Sequence, residues 1–325
     1  EILIISLKYT SIKELYGFQV ENLNIDNKVN YLLSIRKMGL IVKKFKPVII
    51  HSHTIYPHLL IRFIKLLNIY NFLHVCSEHG TIYDYKGLIW NLFKLTNRYS
   101  EVVTFVSQYS ANSYVERGLV SNNQARVLFN GIKFDSLSHT NIYKKSDVFH
   151  LAYIGRFSEE KNVLNLLKAI KLLKNKINNF ELSIIGDGSE ENNLKKYVRD
   201  NDLSLNINFL GYKDNIKEIL KEIDLLVLSS NTEGLPMAIL EAMAMQCNVV
   251  STRCGGIPEI FEGIPNFLAN INDSEDLASK ILNNLTLSKE DREQIGLLYK
   301  QRVFENFSIN KYVSNLEKIY HSLLD

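Results

Sequence analysis

The stretch that most constrains the fold is residues 231–252, NTEGLPMAILEAMAMQCNVVST, which follows an apolar run. Glu233 stands in a predicted loop, and Glu241 lies eight positions later in a helix predicted to begin near Pro236, since proline suits a first helical turn. Eight residues make just over two helical turns, so both carboxylates can face one cleft at the carboxyl edge of the preceding strand. The order of strand, loop, helix and strand predicts one unit of a parallel α/β sheet.

The start of this predicted helix also suits an anion. Pro236 has no N–H, but the backbone N–H groups of Gly234, Leu235 and Met237 would point outward with the positive end of the helix dipole, a seat for a phosphate. Two carboxylates beside that seat would hydrogen-bond sugar hydroxyls rather than the phosphate itself. For the glutamate pair taken alone, two solvated surface residues remain the alternative.

Outward from this stretch, apolar runs alternate with amphipathic segments in both halves of the chain. The second half has apolar runs at 150–154, 181–185, 206–210, 224–228 and 248–251, with a helical pattern at 163–173. The first half has apolar runs at 1–7, 48–51, 72–77, 102–106 and 126–129, with helical patterns at 29–45, 57–67, 88–96 and 108–117. This rhythm predicts an α/β protein with two doubly wound, Rossmann-like domains.

The join between the two domains is predicted in the polar stretch 136–147, SLSHTNIYKKSD. The domains are then an N-terminal domain at 1–138 and a second domain at 139–308. A final helix at 309–325 follows, for which packing against the N-terminal domain is one option. Its apolar residues Tyr312, Leu316, Ile319 and Leu323 lie on one stripe.

Composition limits the class of protein. Of 325 residues 46% are hydrophobic and 22% charged, which indicates a globular chain rather than a disordered or collagenous one. The longest uncharged stretch, 47–61, is shorter than the ~20 apolar residues of a bilayer span. Cys76, Cys247 and Cys254 form no CxxC motif, which argues against a disulfide framework or a structural zinc site and favours a reducing cytosol.

Charge is unevenly distributed along the chain. Residues 1–138 hold 16 Lys and Arg against 9 Asp and Glu, whereas residues 139–325 hold 22 against 26. One interpretation is that both halves merely carry solvated faces. The other is that the basic half approaches an anionic partner such as phospholipid headgroups or a phosphorylated acceptor.

The strings EGLPMAILEAMA at 233–244 and NVVSTRCGGIPEI at 248–260 closely resemble the donor-site signature of glycosyltransferase family 4. The family consists of retaining enzymes with the GT-B architecture, two Rossmann-like domains that face each other across a cleft. The resemblance implies transfer of a sugar from a nucleotide-diphosphate donor to an acceptor hydroxyl, without a metal or other cofactor. It also implies that Glu233 hydrogen-bonds the donor sugar and that Glu241 binds the ribose.

Further motifs extend the resemblance. Arg156 and Lys161 in YIGRFSEEKN resemble the family's basic pair for the donor diphosphate, while GDG at 186–188 and FLGY at 209–212 resemble the turns of its base pocket. His79 in EHGT resembles the histidine placed near the donor sugar and the acceptor; His51 and His53 are interpreted as packing or supporting residues. The implied catalytic residues are Glu233, His79, Arg156 and Lys161, and the implied donor-binding residues are Arg156, Lys161, Gly186, Gly211, Tyr212, Glu233, Gly234, Leu235 and Glu241.

Two features depart from the family pattern. The chain opens with a strand like the family's second one, so a first strand, glycine-rich loop and helix are expected to be missing upstream, which would put the activity of this chain in doubt. Gln246 stands where relatives tend to have glycine, a change expected to affect only the end of the helix.

The function predicted from these residues is a cytosolic glycosyltransferase that visits the inner membrane surface and extends a surface polysaccharide or lipid-linked glycan. Its partners would be a nucleotide-diphosphate sugar, a lipid-linked or glycan acceptor and an anionic membrane, which the aromatic segment 83–90, YDYKGLIW, would contact; no nucleic acid is expected. Two alternatives remain open: an inactive remnant that binds only nucleotide or a partner enzyme, and a nucleotide-sugar epimerase. A nicotinamide dehydrogenase is disfavoured because no GxGxxG follows a strand.

Overall fold

The computed structural model describes residues 2–6, 14–15, 18–23, 30–80, 87–133 and 148–325. The chain divides into two compact units. The first consists of Glu1–Phe105, Ala111–Val127 and Ile319–Asp325, and the second of Val106–Ser110 and Leu128–Lys318. The predicted join at 138 and the whole polar stretch 136–147 lie outside the described residues.

The described part of the first unit has two sheets. Strands β1 (Leu3–Ser6), β2 (Glu14–Leu15) and β3 (Phe18–Asn22) form a sheet in the order β1-β3-β2, in which β1 and β3 are parallel and β2 is antiparallel to β3. Strands β4 (Ile49–His53), β5 (Leu73–Glu78), β6 (Val102–Phe105) and β7 (Ala125–Val127) form a parallel sheet in chain order.

Four helices accompany these strands in the described residues: α1 (Asn30–Phe45), α2 (Ile55–Leu66), α3 (Leu88–Thr96) and α4 (Gln108–Glu116). Each lies within about two residues of a predicted helical pattern. Ile55 of α2, Phe93 of α3 and Tyr114 of α4 pack with Cys76 and Val103 of the parallel sheet in one core. The amphipathic spacing thus predicts these helices because their apolar faces cover the sheet.

The second unit is a six-stranded parallel sheet in the order β10-β9-β8-β11-β12-β13. Its strands are β8 (Phe149–Ile154), β9 (Phe180–Ile185), β10 (Ile207–Gly211), β11 (Leu225–Val227), β12 (Asn248–Thr252) and β13 (Phe267–Ala269). Its helices are α5 (Val163–Lys174), α6 (Glu191–Asp200), α7 (Ile216–Leu220), α8 (Met237–Ala244), α9 (Ile257–Ile260), α10 (Ser274–Leu285), α11 (Lys289–Asn306) and α12 (Ile309–Leu324). The last seven residues of the chain, from Ile319 on, are grouped with the first unit.

Successive residues of the central strands enter different cores on the two faces of this sheet. Leu151 and Tyr153 of β8 pack in one core, whereas Ala152 between them packs in the other. Leu225 and Leu226 of β11 alternate in the same way. Strands buried on both faces read as continuous apolar runs, so the sequence could locate them. The predicted α/β class with parallel sheets is confirmed.

Some local expectations were wrong or incomplete. Helix α8 begins at Met237, one residue after Pro236. Pro236 is therefore not part of the first turn but is the N-cap, with an extended backbone (φ −72°, ψ 115°). Strands β3 and β13 were not identified, and β13 has only three residues, too few for a visible period. Gln246 follows α8 with φ 61°, a left-handed conformation that favours glycine. No helix among the described residues combines the length and the hydrophobicity that a bilayer crossing requires.

Candidate active site

The loops after β8 and β11 lie side by side at the carboxyl edge of the second unit's sheet, because these strands are neighbours. The Asn231 backbone N–H donates to the Glu160 carbonyl at 2.8 Å, and Asn231 Nδ2 donates to the Glu159 carbonyl at 3.2 Å. Asn162 Nδ2 donates to Asn231 Oδ1 at 2.9 Å. These bonds join the Lys161 motif to the Glu233 motif.

Lys161 and Glu233 form an ion pair across the two loops. Lys161 Nζ donates to Glu233 Oε2 at 2.7 Å, and the Ser230 hydroxyl donates to Glu233 Oε1 at 2.7 Å. Glu233 is only 6% exposed, so its charge depends on Lys161 for compensation. Each carboxylate oxygen keeps a lone pair and the ammonium keeps two donors, so the pair can still bind a ligand.

Arg156 lies just after β8 and its side chain is 77% exposed. Its Nη2 lies 3.5 Å from Glu160 Oε1, an exposed contact that contributes little to stability. The Tyr153 hydroxyl donates to the Arg156 carbonyl at 3.0 Å, and burial followed by the charge of Glu233 raises the pKa of Tyr153, so this donor keeps its proton. The backbone of Arg156 is therefore held while its guanidinium is available to an external anion.

The start of α8 follows Glu233 directly. No side chain caps the first N–H groups of α8 in the described structure, because the N-cap is Pro236. Gly234 is buried, and the Leu235 side chain packs in the core. These two residues can therefore contact a ligand at the start of α8 only through their backbone groups.

The loops after β9 and β10 pack against the loop after β8. The Gly186 N–H donates to the Gly211 carbonyl at 3.0 Å, and the Phe157 N–H donates to the Asp187 carbonyl at 2.7 Å. Gly186 has φ 133°, and a Cβ there would lie 2.0 Å from the Gly155 carbonyl oxygen. Only glycine permits this approach of the loops.

Glu241 and Tyr212 offer polar groups in the second unit. Glu241 is half-buried on α8, and desolvation raises the pKa of its carboxyl despite the opposing charge of Lys217. Tyr212 is exposed after β10, and the hydrogen bond and charge of Asp214 raise the pKa of its phenol. Both groups suit hydrogen bonds to ligand hydroxyls.

The turn after β12 supports the loop of Glu233, a role that the sequence interpretation did not assign. The Thr252 hydroxyl donates to the Ser230 carbonyl at 2.6 Å. Gly255 has φ 55°, and a Cβ there would lie 1.7 Å from the Glu233 carbonyl oxygen. The adjacent glycines at 255 and 256 were the available sequence signal for this close contact.

His79 belongs to the first unit, whereas the other predicted site residues belong to the second. It is exposed after β5, and its Nε2 lies 3.0 Å from Nδ1 of His53, whose ring stacks on it. His51 stacks on His53 and is held by the Tyr320 hydroxyl at 2.6 Å and the Ser77 hydroxyl at 2.7 Å. Partial desolvation of the ring lowers the pKa of His79, and partial desolvation followed by the neighbouring His79 lowers the pKa of His53 to about 4, so both rings are neutral near pH 7.

A separate open cavity of about 850 Å³ lies in the second unit near β12 and β13. Its lining includes Arg253, Glu259 and Gln108 but none of the predicted site residues. The Glu259 carboxylate accepts the backbone N–H groups of Gln108 and Tyr109 at 2.7 and 2.8 Å. That carboxylate is therefore engaged in holding the start of α4.

Two family models match this chain. The family model described as Glycosyl transferases group 1 matches residues 138–297, and the one described as Glycosyltransferase Family 4 matches residues 13–136. The uncharacterized glycosyltransferase MJ1178 of Methanocaldococcus jannaschii is 30% identical over 91% of this chain and 82% of its own length. The N-acetyl-alpha-D-glucosaminyl L-malate synthase of Bacillus anthracis is 27% identical over 89% of this chain and 78% of its own length.

The structure of Anabaena Alr3699/HepE in complex with UDP-glucose has a TM-score of 0.80 at 19% identity, over 94% of this chain and 86% of that one. Other curated relatives include glycosyltransferases of capsular polysaccharide, amylovoran and colanic acid biosynthesis. The fold and these matches define a glycosyltransferase built from Rossmann-like units. The chain belongs to glycosyltransferase family 4.

Proposed function

We propose that this glycosyltransferase moves a sugar from a nucleotide-diphosphate donor to an acceptor hydroxyl with retention at the anomeric carbon. Residues 139–308 would bind the donor, residues 1–138 would bind the acceptor, and the final helix 309–325 would complete the N-terminal domain. The observation that carries the proposal is the set of loops in which Lys161 pairs with Glu233 near the start of α8, which no side chain of the described residues caps. The UDP-glucose complex of the Anabaena protein supports a nucleotide-sugar donor.

In this proposal Arg156, Lys161 and the start of α8 stabilise the charge that develops on the departing diphosphate. Preorganised cations and backbone donors of this kind account for most of the rate enhancement in many enzymes. Glu233 and Glu241 accept hydrogen bonds from donor hydroxyls, Gly186, Gly211 and Tyr212 border the base, and neutral His79 orients the sugar or the acceptor. In this proposal Glu233 binds the donor and is not a covalent nucleophile, in keeping with its burial and its pairing with Lys161.

Thermal melting with a panel of nucleotide sugars tests donor binding, because a ligand of the folded state raises its melting temperature. We expect one donor, and the matching nucleoside diphosphate, to stabilise the wild type. Arg156→Ala should lose most of that shift, whereas the control Arg199→Ala, which removes an exposed arginine on α6, should keep it. A panel that leaves the wild type unshifted, or equal shifts in both variants, would refute this donor site.

Product analysis then separates the catalytic alternatives. A retaining transferase gives a glycoside of the donor's anomeric configuration and needs an acceptor. Interconversion of the donor without acceptor would indicate an epimerase instead. Donor binding without any product, with acceptors of the polysaccharide and lipid-linked classes present, would indicate a protein that only binds nucleotide.

We further propose that the acceptor is lipid-linked and that the first unit contacts the inner, anionic membrane face. Residues 83–86 of the aromatic segment lie outside the described residues, and Trp90 packs edge-on against Phe93 and Tyr114. The exposed stripe of α3 is instead Leu88, Leu92 and Leu95, and its neighbours Lys94 and Arg98 are basic. An apolar stripe beside cations suits an anionic bilayer.

Co-sedimentation with vesicles tests this membrane surface. We expect the wild type to bind vesicles that contain anionic lipid and to be released by salt. Replacing Leu88 and Leu95 by serine should abolish binding, whereas Leu205→Ser, at a leucine of the second unit that is even more exposed, should not. Equal binding to neutral and anionic vesicles, or no binding at all, would contradict the proposal.

A further inference from the structure

The core of the first unit contains charged groups that the proposed chemistry does not use. His58 and Arg62 lie four residues apart on α2, and Cys76 and Glu78 lie two residues apart on β5. A helix returns to the same face about every 3.6 residues and a strand every two residues, so the two residues of each pair lie on one face of their element. The face of α2 that carries His58 and Arg62 therefore packs on the face of β5 that carries Cys76 and Glu78. All four side chains are at most 2% exposed.

Arg62 is a fully buried cation. Its guanidinium donates to the Ser100 hydroxyl at 2.7 Å, the Phe93 carbonyl at 3.1 Å and Asn97 Oδ1 at 2.8 Å, and it lies over the Phe93 ring. Its Nη2 also lies 3.6 Å from Cys76 Sγ. In the part of the chain that the structure describes, no carboxylate forms an ion pair with Arg62. Cys76 is therefore the acidic group within hydrogen-bond distance that can balance the buried charge.

Cys76 Sγ has a second donor. It lies 3.3 Å from the Ser100 hydroxyl, which already accepts from Arg62 and lies 3.1 Å from His74 Nδ1. When Ser100 accepts from both of these groups, its one proton is directed at the sulfur. The sulfur then accepts from a hydroxyl and a guanidinium, the kind of environment that favours a thiolate.

His58 and Glu78 form the second pair, with His58 Nε2 3.3 Å from Glu78 Oε1. The Ser52 hydroxyl lies 2.6 Å from His58 Nδ1 and 2.7 Å from His74 Nε2. If His58 is an imidazolium, its Nδ1 donates to Ser52, and the Ser52 proton is left for His74. His58 Nε2 and Glu78 Oε1 then form an ion pair without an aligned hydrogen bond.

The expected protonation states agree with this pattern of hydrogen bonds. Burial alone would lower the pKa of His58, but the charges and hydrogen bonds of Cys76 and Glu78 raise it to about 9. Burial alone would raise the pKa of Cys76, but the nearby His58 and His74 lower it well below its usual range. Burial lowers the pKa of His74, which stays neutral.

We infer that Cys76 is a thiolate that pairs with Arg62, and that this pair forms with His58 and Glu78 a buried ionic lock between α2 and β5. The lock includes Glu78, the last residue of β5, which directly precedes His79. Its existence does not depend on the proposed function, since it involves neither the sugar donor nor the sugar acceptor.

Ultraviolet absorbance tests the thiolate, because thiolates absorb where thiols do not. Burial raises the pKa of Cys254 to about 12 and also raises that of Cys247, so both stay protonated near neutral pH. We expect one thiolate per native chain, lost when the wild type is unfolded at the same pH, absent in Cys76→Ser and kept in the control Cys254→Ser. A native chain without thiolate absorbance would overturn the inference, as would one equivalent of bound zinc.

A matched pair of variants tests the charge separately from the shape. Cys76→Asp supplies an anion and Cys76→Asn a neutral side chain of nearly the same size. With Arg62 and a protonated His58 in place, Cys76→Asp should melt at least about 3 °C above Cys76→Asn. If Arg62 did not pair with the group at position 76, the buried carboxylate would lack compensation and the order would reverse. An equal or reversed order therefore overturns the lock.

Discussion

Each unit of the chain contains a pair of opposite charges next to a parallel sheet. In the second unit the pair lies in loops at the edge of the sheet, and in the first unit it lies between the sheet and a helix. Lys161 and Glu233 come from two loops at a sheet edge, with exposed Arg156 beside them in sequence and glycine contacts around them. Arg62 and Cys76 come from a helix and a strand, and both are fully buried. Loops held together by hydrogen bonds leave donors and acceptors for a ligand, whereas a helix and a strand in register satisfy each other.

The comparison teaches that the surroundings of a charge pair separate a binding role from a structural one. In the second unit the pair precedes the start of α8, which no side chain of the described residues caps. The ammonium of Lys161 and the carboxylate of Glu233 can therefore form further hydrogen bonds to a ligand. In the first unit serine and asparagine side chains use the remaining bonds of Arg62. The following changes break or sharpen this contrast, in decreasing order of expected effect.

The largest effect is expected from Lys161→Met. Removing the ammonium should lower the transfer rate by about 10² to 10³, or ~3–4 kcal/mol, because in the proposed mechanism it stabilises the departing diphosphate. It should also destabilise the fold by up to about 3 kcal/mol, because buried Glu233 loses its partner. The double variant with Glu233→Gln should regain stability but not activity, as measured by chemical denaturation and a transfer assay. A double variant that regained activity would remove Lys161 from the chemistry.

The second effect concerns pH and the buried lock. A raised pKa at His58 gives stability that is present below pH 6.5 and is lost as the pH rises through about 9. A lowered pKa at Cys76 gives stability that grows as the pH rises toward 9.0, the ordinary value of its thiol. The two contributions cancel in the wild type between pH 6.5 and about 9.

Cys76→Asp removes one of these contributions, since aspartate titrates far below this window. The free energy of unfolding of the variant should then fall by about 1.4 kcal/mol per pH unit, about 3 kcal/mol across the window, while the wild type stays flat. Urea denaturation at several pH values measures both slopes. Parallel slopes in the two proteins would show that His58 and Cys76 are not linked as described.

A third pair of variants distinguishes the contact that supports the Glu233 loop from ordinary backbone strain at a glycine. Gly255→Ala would place a Cβ 1.7 Å from the Glu233 carbonyl, whereas Gly263→Ala, also at positive φ, meets nothing within 4 Å. Both variants bear a backbone cost of about 1 kcal/mol, but only Gly255→Ala should also shift the loop and weaken donor binding, by about tenfold or ~1.4 kcal/mol. Equal donor affinities of the two variants, measured by calorimetry, would argue against this support.

The smallest effect is expected at Gln246, which has φ 61° after α8. Gln246→Gly should stabilise the protein by about 1 kcal/mol, because glycine adopts the left-handed conformation without steric cost. Donor affinity should stay unchanged. Thermal and urea denaturation measure the gain, and a destabilised variant would mean that the Gln246 side chain itself contributes to packing.

Much of the fold could be predicted from the sequence because buried parallel strands form unbroken apolar runs. The runs at 150–154 and 181–185 matched β8 and β9 closely for this reason. Strands β3 and β13 were missed, since Phe267–Ala269 is too short to show a period and Phe18–Asn22 mixes apolar with polar residues. Gln246 was expected to affect only the end of the helix, and its positive φ directly after α8 agrees with that expectation.

The candidate site was predictable where motifs are contiguous. Arg156, Lys161 and Glu233 were singled out by their resemblance to family motifs and by their positions after strands. The hydrogen bond from Lys161 to Glu233 joins residues 72 positions apart and became visible only in the fold. The contact of Gly255 with the Glu233 loop was equally invisible. Arg62 and Cys76 lie 14 residues apart on different elements, and only the register of α2 against β5 brings them together.

The measurement that tests the central claim most directly is the calorimetric affinity of the wild type, Arg156→Ala and Arg199→Ala for a panel of nucleoside diphosphates. The account predicts that one diphosphate binds, that Arg156→Ala weakens it by about tenfold or more through loss of a charge-assisted hydrogen bond, and that Arg199→Ala leaves it unchanged. Equal affinities in all three proteins, or no binding of any nucleoside diphosphate, would contradict it.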